Sequence, residues 1–195
     1  MLENKIALVT GASSGLGYQF ALTLAAQGAA VAVAARSADK LAILVAEIES
    51  RGGNAMAFAV DATDPAAPDA LIKAIGTRMG VPDILVNNAG SCLPARAHKA
   101  TLDDFEQTMA VNVRAPWLLS QLCDERWIEA GTEGCIVNIS SMLSTCVAKG
   151  VSLYTMSKAA IRHLTAGHAL EWAKHGIRVN ALCPGYIRTS INDEF

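Results

Sequence analysis

The sequence predicts an α/β protein, a doubly wound parallel sheet with helices on both faces. Three observations carry that reading. Short β-branched, apolar runs alternate with amphipathic stretches along 195 residues. The first run ends in a glycine-rich turn that opens a helical pattern, and no repeat, low-complexity tract or linker interrupts the array. With 52% hydrophobic residues the chain can bury a sizeable core, so residues 1–195 read as a single domain.

The first strand is Lys5 to Thr10, stopping at Gly11. Gly11-Ala12-Ser13-Ser14-Gly15-Leu16-Gly17 follows, then a helix in which Leu16, Phe20 and Leu24 recur every fourth residue until Gly28. Such glycines let a backbone approach a phosphate, and the N–H groups of the helix N-terminus supply positive potential for a pyrophosphate. The spacing is Gly-x-x-x-Gly-x-Gly rather than Gly-x-Gly-x-x-Gly, so taken alone the stretch equally suits a structural turn. Ala30 to Ala35 is a second strand ending at Arg36-Ser37. A carboxylate there would bind a ribose 2′-hydroxyl, whereas an arginine pairs with a 2′-phosphate. This chain offers Arg36, which favours NADP(H) over NAD(H) unless Arg36 merely faces solvent.

Leu41, Leu44, Val45 and Ile48 stripe a second helix from about Asp39 to Arg51, stopped by Gly52-Gly53. Ala55 to Val60 is a third strand ending at Asp61, and Leu71, Ile72, Ile75 and Met79 stripe a third helix. Asp83 to Val86 is a fourth strand leading into Asn87-Asn88-Ala89-Gly90, a loop that could bend around a ligand or simply turn. One long helical region is expected from about Leu102 to Glu129, with Asn112 inside it. Asn is a poor helix former, so it needs a local kink or a hydrogen-bonded water to explain it. Cys135 to Ile139 is a fifth strand ending at Ser140-Ser141, and Gly176 to Leu182 is a sixth ending at Cys183 to Thr189. Both place polar groups at the carboxyl edge of the sheet, where open α/β sheets bind ligands.

Between the last two strands lies Tyr154-Thr155-Met156-Ser157-Lys158, read as the first turn of a helix. At this spacing phenol and ammonium share one face, and a nearby cation favours the phenolate, so Tyr154 could serve as a general acid or base. The same pair also occurs on ordinary solvated helix faces.

Composition removes several function classes. A net charge of -2 with 17% charged residues leaves no basic stripe for nucleic acid. The N-terminus lacks the parts of an export signal, and the apolar runs are too short to cross a bilayer, so a cytoplasmic protein without membrane partners is expected. Cys92, Cys123, Cys135, Cys146 and Cys183 contain no Cys-x-x-Cys pair, and His98, His163, His168 and His175 lack ligand spacing. Reduced thiols and no bound metal are the expectation.

Together these pieces resemble the short-chain dehydrogenase/reductase family from about residue 4 to residue 190. Thr10 to Gly17 fits its Thr-Gly-x-x-x-Gly-x-Gly turn, Asn87 to Gly90 its Asn-Asn-Ala-Gly, and Pro184-Gly185 with Ile187 and Thr189 its nicotinamide-side loop. Asn112, Ser141, Tyr154 and Lys158 fall where its catalytic residues belong. The resemblance implies a Rossmann-like sheet of strand order 3-2-1-4-5-6. It also implies hydride transfer between a nicotinamide and a carbonyl or alcohol carbon, with Tyr154 exchanging the proton and Ser141 hydrogen-bonding the oxygen. Lys158 would hold the nicotinamide ribose and depress the Tyr154 pKa, and Asn112 would position a water. Ser140 is the rival of Ser141, which is preferred because the family's serine lies thirteen residues before its tyrosine. Cofactor contacts are implied for Gly11, Ser13, Ser14, Gly15, Leu16, Gly17, Arg36, Asp61, Ala62, Asn88, Ala89, Gly90, Tyr154, Lys158, Pro184, Gly185, Ile187 and Thr189.

The expected activity is NADP(H)-dependent interconversion of a ketone and a secondary alcohol, with a 3-oxoacyl thioester as one substrate class and a sugar, steroid or other small alcohol as another. A dinucleotide-binding sensor or assembly subunit without turnover is the reading from a different class. The resemblance further implies a homodimer or homotetramer joined through the Leu102–Glu129 and Tyr154–Lys174 helices. Family members continue past Thr189 into a substrate lid, a helix and a seventh strand, so the sequence is expected to be a fragment lacking them.

Overall fold

The computed structural model describes residues 1–187. Six strands, Ile6–Thr10 (β1), Ala30–Ala35 (β2), Asn54–Ala59 (β3), Ile84–Asn87 (β4), Cys135–Ile139 (β5) and Arg178–Leu182 (β6), form one sheet. All neighbours are parallel, in the order β3-β2-β1-β4-β5-β6. The helices between them are Gly15–Ala26 (α1), Ala38–Ser50 (α2), Ala67–Arg78 (α3), Leu102–Met109 (α4), Ala115–Ala130 (α5) and Ser152–Trp172 (α6). Chain direction across the sheet reverses between β1 and β4. A crevice opens there at the carboxyl ends of the strands.

Because each strand is buried on both sides, alternate residues feed two separate cores. Leu8, Ala32, Leu85 and Ile136 join Leu71, Ile75, Leu119, Cys123 and Trp127 on the α3, α5 side. Ala7, Val9, Val31 and Val33 join Ala21, Leu41, Leu44 and Ile48 on the α1, α2 side. The α1 face differs from the expected Leu16, Phe20, Leu24 stripe. Its buried positions are Gly17, Ala21 and Ala25, and the larger residues flank them half-buried. Small side chains let α1 lie close against the sheet, which brings its N-terminus down to the crevice.

The long helix expected from Leu102 to Glu129 is also not continuous. A capping box between Thr101 and Asp104 starts α4, and residues Ala110–Arg114 then form a π-helical turn before α5. Asn112 sits in that turn, and its side chain leaves the helix for other partners: Oδ1 accepts from Ser91 N at 2.8 Å, while Nδ2 donates to Ser91 O and Ser157 Oγ, each at 2.9 Å. The kink is therefore the reason for an asparagine here.

A buried polar chain locks the site end of the sheet. Asn87 Nδ2 donates to Asn138 Oδ1 at 2.9 Å and Ser120 Oγ at 3.1 Å, and Asn138 Nδ2 donates to Thr165 Oγ1 at 2.9 Å. These bonds join β4, β5, α5 and α6 in one register. Farther away, Trp127 is 1% exposed and donates its indole N–H to Pro82 O at 2.7 Å. Gly134 lies against that ring; a Cβ built there would stand 2.1 Å from Trp127 Cε3. Gly134→Ala must displace the indole, so it should lower stability by about 1–3 kcal/mol, read as a drop in the urea midpoint with an unchanged slope.

Candidate active site

The crevice is built first from backbone. Gly11 and Gly15 have φ of 64° and 56°, values that glycine adopts without strain. A Cβ on Gly11 would lie 2.7 Å from Ala89 Cα, and one on Gly17 would lie 2.4 Å from both Gly11 O and Asn88 Nδ2. The turn, the start of α1 and the Asn87–Gly90 loop thus touch with no room for side chains. No acidic residue occupies the first turn of α1, so its positive end is left for an anion.

Thr10 and Asn88 fasten these pieces. Thr10 Oγ1 accepts from the N–H groups of Asn88 and Ala89, both at 3.0 Å, and donates to Val86 O at 3.3 Å. Asn88 Nδ2 donates to Thr10 O at 2.9 Å and Gly11 O at 3.2 Å. The Asn88 side-chain amide thus holds the glycine turn against the β4 loop, and Asn88 also lines the crevice.

Ser13, Ser14, Gly15 and Leu16 line the crevice on one side, and Arg36, Asp61 and Ala62 line it farther along. Asp61 Oδ1 accepts from the Thr63 N–H and hydroxyl, each at 2.9 Å. Those bonds hold its carboxyl below the ordinary value, burial opposes them, and the Arg36 charge adds a smaller lowering. Arg36 is exposed and forms no ion pair among the described residues.

At the other end, the first turn of α6 carries Tyr154, and Lys158 follows one turn later. Lys158 is 4% exposed, and its Nζ donates to Ile139 O at 2.8 Å and lies 5.6 Å from the Tyr154 ring centre. Burial lowers the Lys158 pKa from 10.5 to about 8. A Cβ on Gly90 would come within 3.4 Å of that ammonium and 3.6 Å of Asn112 Oδ1, so Gly90, Asn112 and Lys158 meet. Ser157 Oγ, which accepts from Asn112 Nδ2, donates in turn to Tyr154 O at 2.7 Å.

The two serines after β5 separate cleanly. Ser140 Oγ donates to Lys158 O at 2.8 Å, which anchors α6 to β5. Ser141 Oγ accepts from Leu143 N at 3.1 Å and shares a hydrogen bond with the Tyr154 phenol. The expected depression of the Tyr154 pKa by Lys158 is not what the structure gives. Burial dominates and raises it, the Ser141 bond lowers it, and Cys92 raises it slightly. Lys158 Nζ lies over the ring, 5.6 Å from its centre, and is not among the causes of the shift.

Pro184, Gly185 and Ile187 complete the lining, with Met142 N donating to Pro184 O at 2.9 Å. Thr189 lies outside the described residues. The resulting cavity is about 660 Å³, within the range of about 300–1,000 Å³ typical of ligand clefts. Sequence reasoning missed the fastening roles of Thr10 and Asn88, and the place of Cys92 near Lys158. Thr10 was legible only as a motif position, because its partners come from a loop 78 residues away. Among the described residues no group of three or more His, Cys, Asp or Glu could hold a metal ion, and no helix is long and apolar enough to cross a membrane.

The donor set fits a dinucleotide. A turn whose Gly11 and Gly17 leave no room for a Cβ meets a helix N-terminus at one end, and at the other a buried ammonium has one protein acceptor while the buried Ser91 hydroxyl has none. Fold and cleft together define a dinucleotide-dependent oxidoreductase. A family profile described as short chain dehydrogenase matches residues 5–195, and the chain belongs to that family. It is 37% identical over 192 residues to gluconate 5-dehydrogenase of Gluconobacter oxydans, covering 98% of this chain and 75% of that protein. Against D-threitol dehydrogenase of Mycolicibacterium smegmatis it is 35% identical, covering 97% and 73%. A gluconate 5-dehydrogenase from Burkholderia cenocepacia, solved with NADP and tartrate, superposes with a TM-score of 0.93 at 34% identity, over 99% of this chain and 75% of that one.

Thr10→Val keeps the shape but leaves the Asn88 and Ala89 N–H groups without their acceptor. Expected are a stability loss of about 1–3 kcal/mol per orphaned group and weaker dinucleotide binding, with Thr10→Ser close to wild type. Thermal unfolding and a fluorescence titration with NADPH check both.

Proposed function

We propose that the chain interconverts a secondary alcohol and a ketone, using NADP(H) in preference to NAD(H), with residues 1–195 acting as one nucleotide-binding domain. The observation that carries this is the convergence of Tyr154, Ser141 and Lys158 in the same cleft that the glycine turn opens. The pyrophosphate would lie on the α1 N-terminus, the adenine beside Asp61 and Ala62, and the 2′-phosphate against Arg36. Bound so, the nicotinamide supplies the two-electron exchange with the substrate carbon.

The protein's own part is positioning and proton transfer. Tyr154, its phenol held protonated by burial, donates to the carbonyl oxygen in reduction, and Ser141 hydrogen-bonds the same oxygen as negative charge develops there. Lys158, one N–H of which is bonded to Ile139 O, would hold the ribose hydroxyls with the others, and Asn112 fixes the wall behind it through Ser157. Ser140 has a structural duty and leaves the substrate role to Ser141. Polyols and sugar acids are favoured over a 3-oxoacyl thioester as the substrate. Relatives named for gluconate, D-threitol and galactitol support that choice, against one named for an acyl-CoA. Exposed Trp117 and Ile128 on α5 and Met156 and Leu170 on α6 support pairing into a homo-oligomer through these helices, which sedimentation of the chain as a monomer would rule out.

Tyr154→Phe should lower kcat by about 10²–10⁴ with NADPH affinity retained. NADPH should bind at least tenfold tighter than NADH, and Arg36→Ala should remove that preference. Turnover of no alcohol or ketone across a broad panel, with NADPH still bound, would instead favour a sensor or assembly role.

A further inference from the structure

The cavity is unevenly charged. Its lining contains the cations Arg36, Lys40, Lys149 and Lys158, and the one acid among its described residues is Asp61. Arg36, Lys40 and Asp61 lie together where β2 and β3 end and α2 begins, the region given above to the adenosine. The other two cations of the lining are Lys149 and Lys158, which share the cavity with Tyr154, and the described lining residues bring no further carboxylate to them. A chain of net charge -2 has made this end of its cleft positive.

Of these two cations only Lys149 is available to a substrate. Lys158 is buried, its ammonium is bonded to Ile139 O, and its other donors serve the ribose in the reading above. Lys149 is exposed and has no ion pair among the described residues. Its backbone is nevertheless fixed relative to Tyr154. Ala95 N donates to Gly150 O at 2.9 Å, Ala95 and Val151 form a parallel bridge, and Thr155 N donates to Val151 O at 2.9 Å inside the first turn of α6. The loop that carries Ser91 and Cys92 is thus joined to the segment that carries Lys149, and both face the cavity. A four-carbon stem on a pinned backbone suits a point charge that reaches a substrate anion some bonds away from the reacting carbon.

We propose that Lys149 binds a carboxylate on the substrate, so that polyhydroxy acids are preferred over neutral polyols of the same length. This deepens the alcohol–ketone reading and rests on it. The anion would sit at the mouth beside Lys149 and the reacting hydroxyl at Tyr154 and Ser141. Nothing in the reaction changes; Lys149 is a specificity-determining residue that touches substrate away from the reacting atoms.

The test compares gluconate with galactitol, each oxidised with NADP⁺, in wild type, Lys149→Met and Lys149→Arg. Wild type should show a kcat/KM for gluconate at least tenfold above that for galactitol, with a gluconate KM that rises with added salt. Lys149→Met should raise the gluconate KM about tenfold with kcat little changed, abolish its salt dependence and leave galactitol kinetics and NADPH binding as they were. Lys149→Arg should restore the preference. A wild-type preference for galactitol, or an equal loss on both substrates, overturns the proposal. If neither compound is turned over, the alcohol–ketone reading is what has failed for this substrate range. Calorimetric titration of gluconate into the chain with NADP⁺ bound then decides Lys149 separately. Tighter binding to wild type than to Lys149→Met supports it, and equal or absent binding refutes it.

Discussion

The burial of one ammonium governs the site. Lys158 has been taken out of water with a single protein acceptor, the carbonyl at the end of β5, and its pKa falls from 10.5 to about 8 as a result. A shift of that size corresponds to roughly 3 kcal/mol against the charged form. The surroundings are arranged to hold the cation there. Gly90 has no side chain to crowd it, Ser140 grips the backbone of Lys158 itself, and Asn112 reaches out of a π-helical turn to Ser157 next door. β4, β5, α5 and α6 therefore have to meet at one point. The Asn87–Asn138–Thr165 chain gives them a fixed register for doing so.

The phosphate end follows a different logic, in which side chains are absent or turned inward. Gly11 and Gly17 bring backbone to within van der Waals contact of the β4 loop, and Thr10 and Asn88 satisfy the polar groups that this approach would otherwise strand. Helix dipole and N–H groups supply positive potential there, whereas at the other end charge is carried by lysines. One cleft thus presents backbone groups at the glycine turn and charged side chains at Lys158.

Much of this was legible in the sequence, for reasons that differ by element. Strand positions were clear because buried parallel strands are continuous apolar runs, and the glycine spacing of Gly11 to Gly17 marked the turn before any partner was known. The helix after β4 was misjudged as continuous, since apolar periodicity persists through Ala110–Arg114 while the hydrogen-bond pattern changes. Asn112 was the signal of that break. The stripe on α1 misled in the other direction: Leu16, Phe20 and Leu24 are conspicuous by size, but close approach to a sheet selects Gly17, Ala21 and Ala25. What pattern could not give was the sense of the Tyr154 shift, because it depends on depth of burial.

The site is built around Lys158 as a buried cation, and titration of that side chain tests this directly. In the ¹³C and ¹⁵N spectra of the labelled chain, with Lys158→Arg used for assignment, the Lys158 side-chain resonances should titrate with a midpoint near 8. The folded pKa lies below the unfolded one, so the charge penalises folding below pH 8, and the penalty fades as pH rises towards 10.5. A midpoint of about 10.5, the ordinary lysine value, would mean that Lys158 is solvated and that the site is not assembled around it.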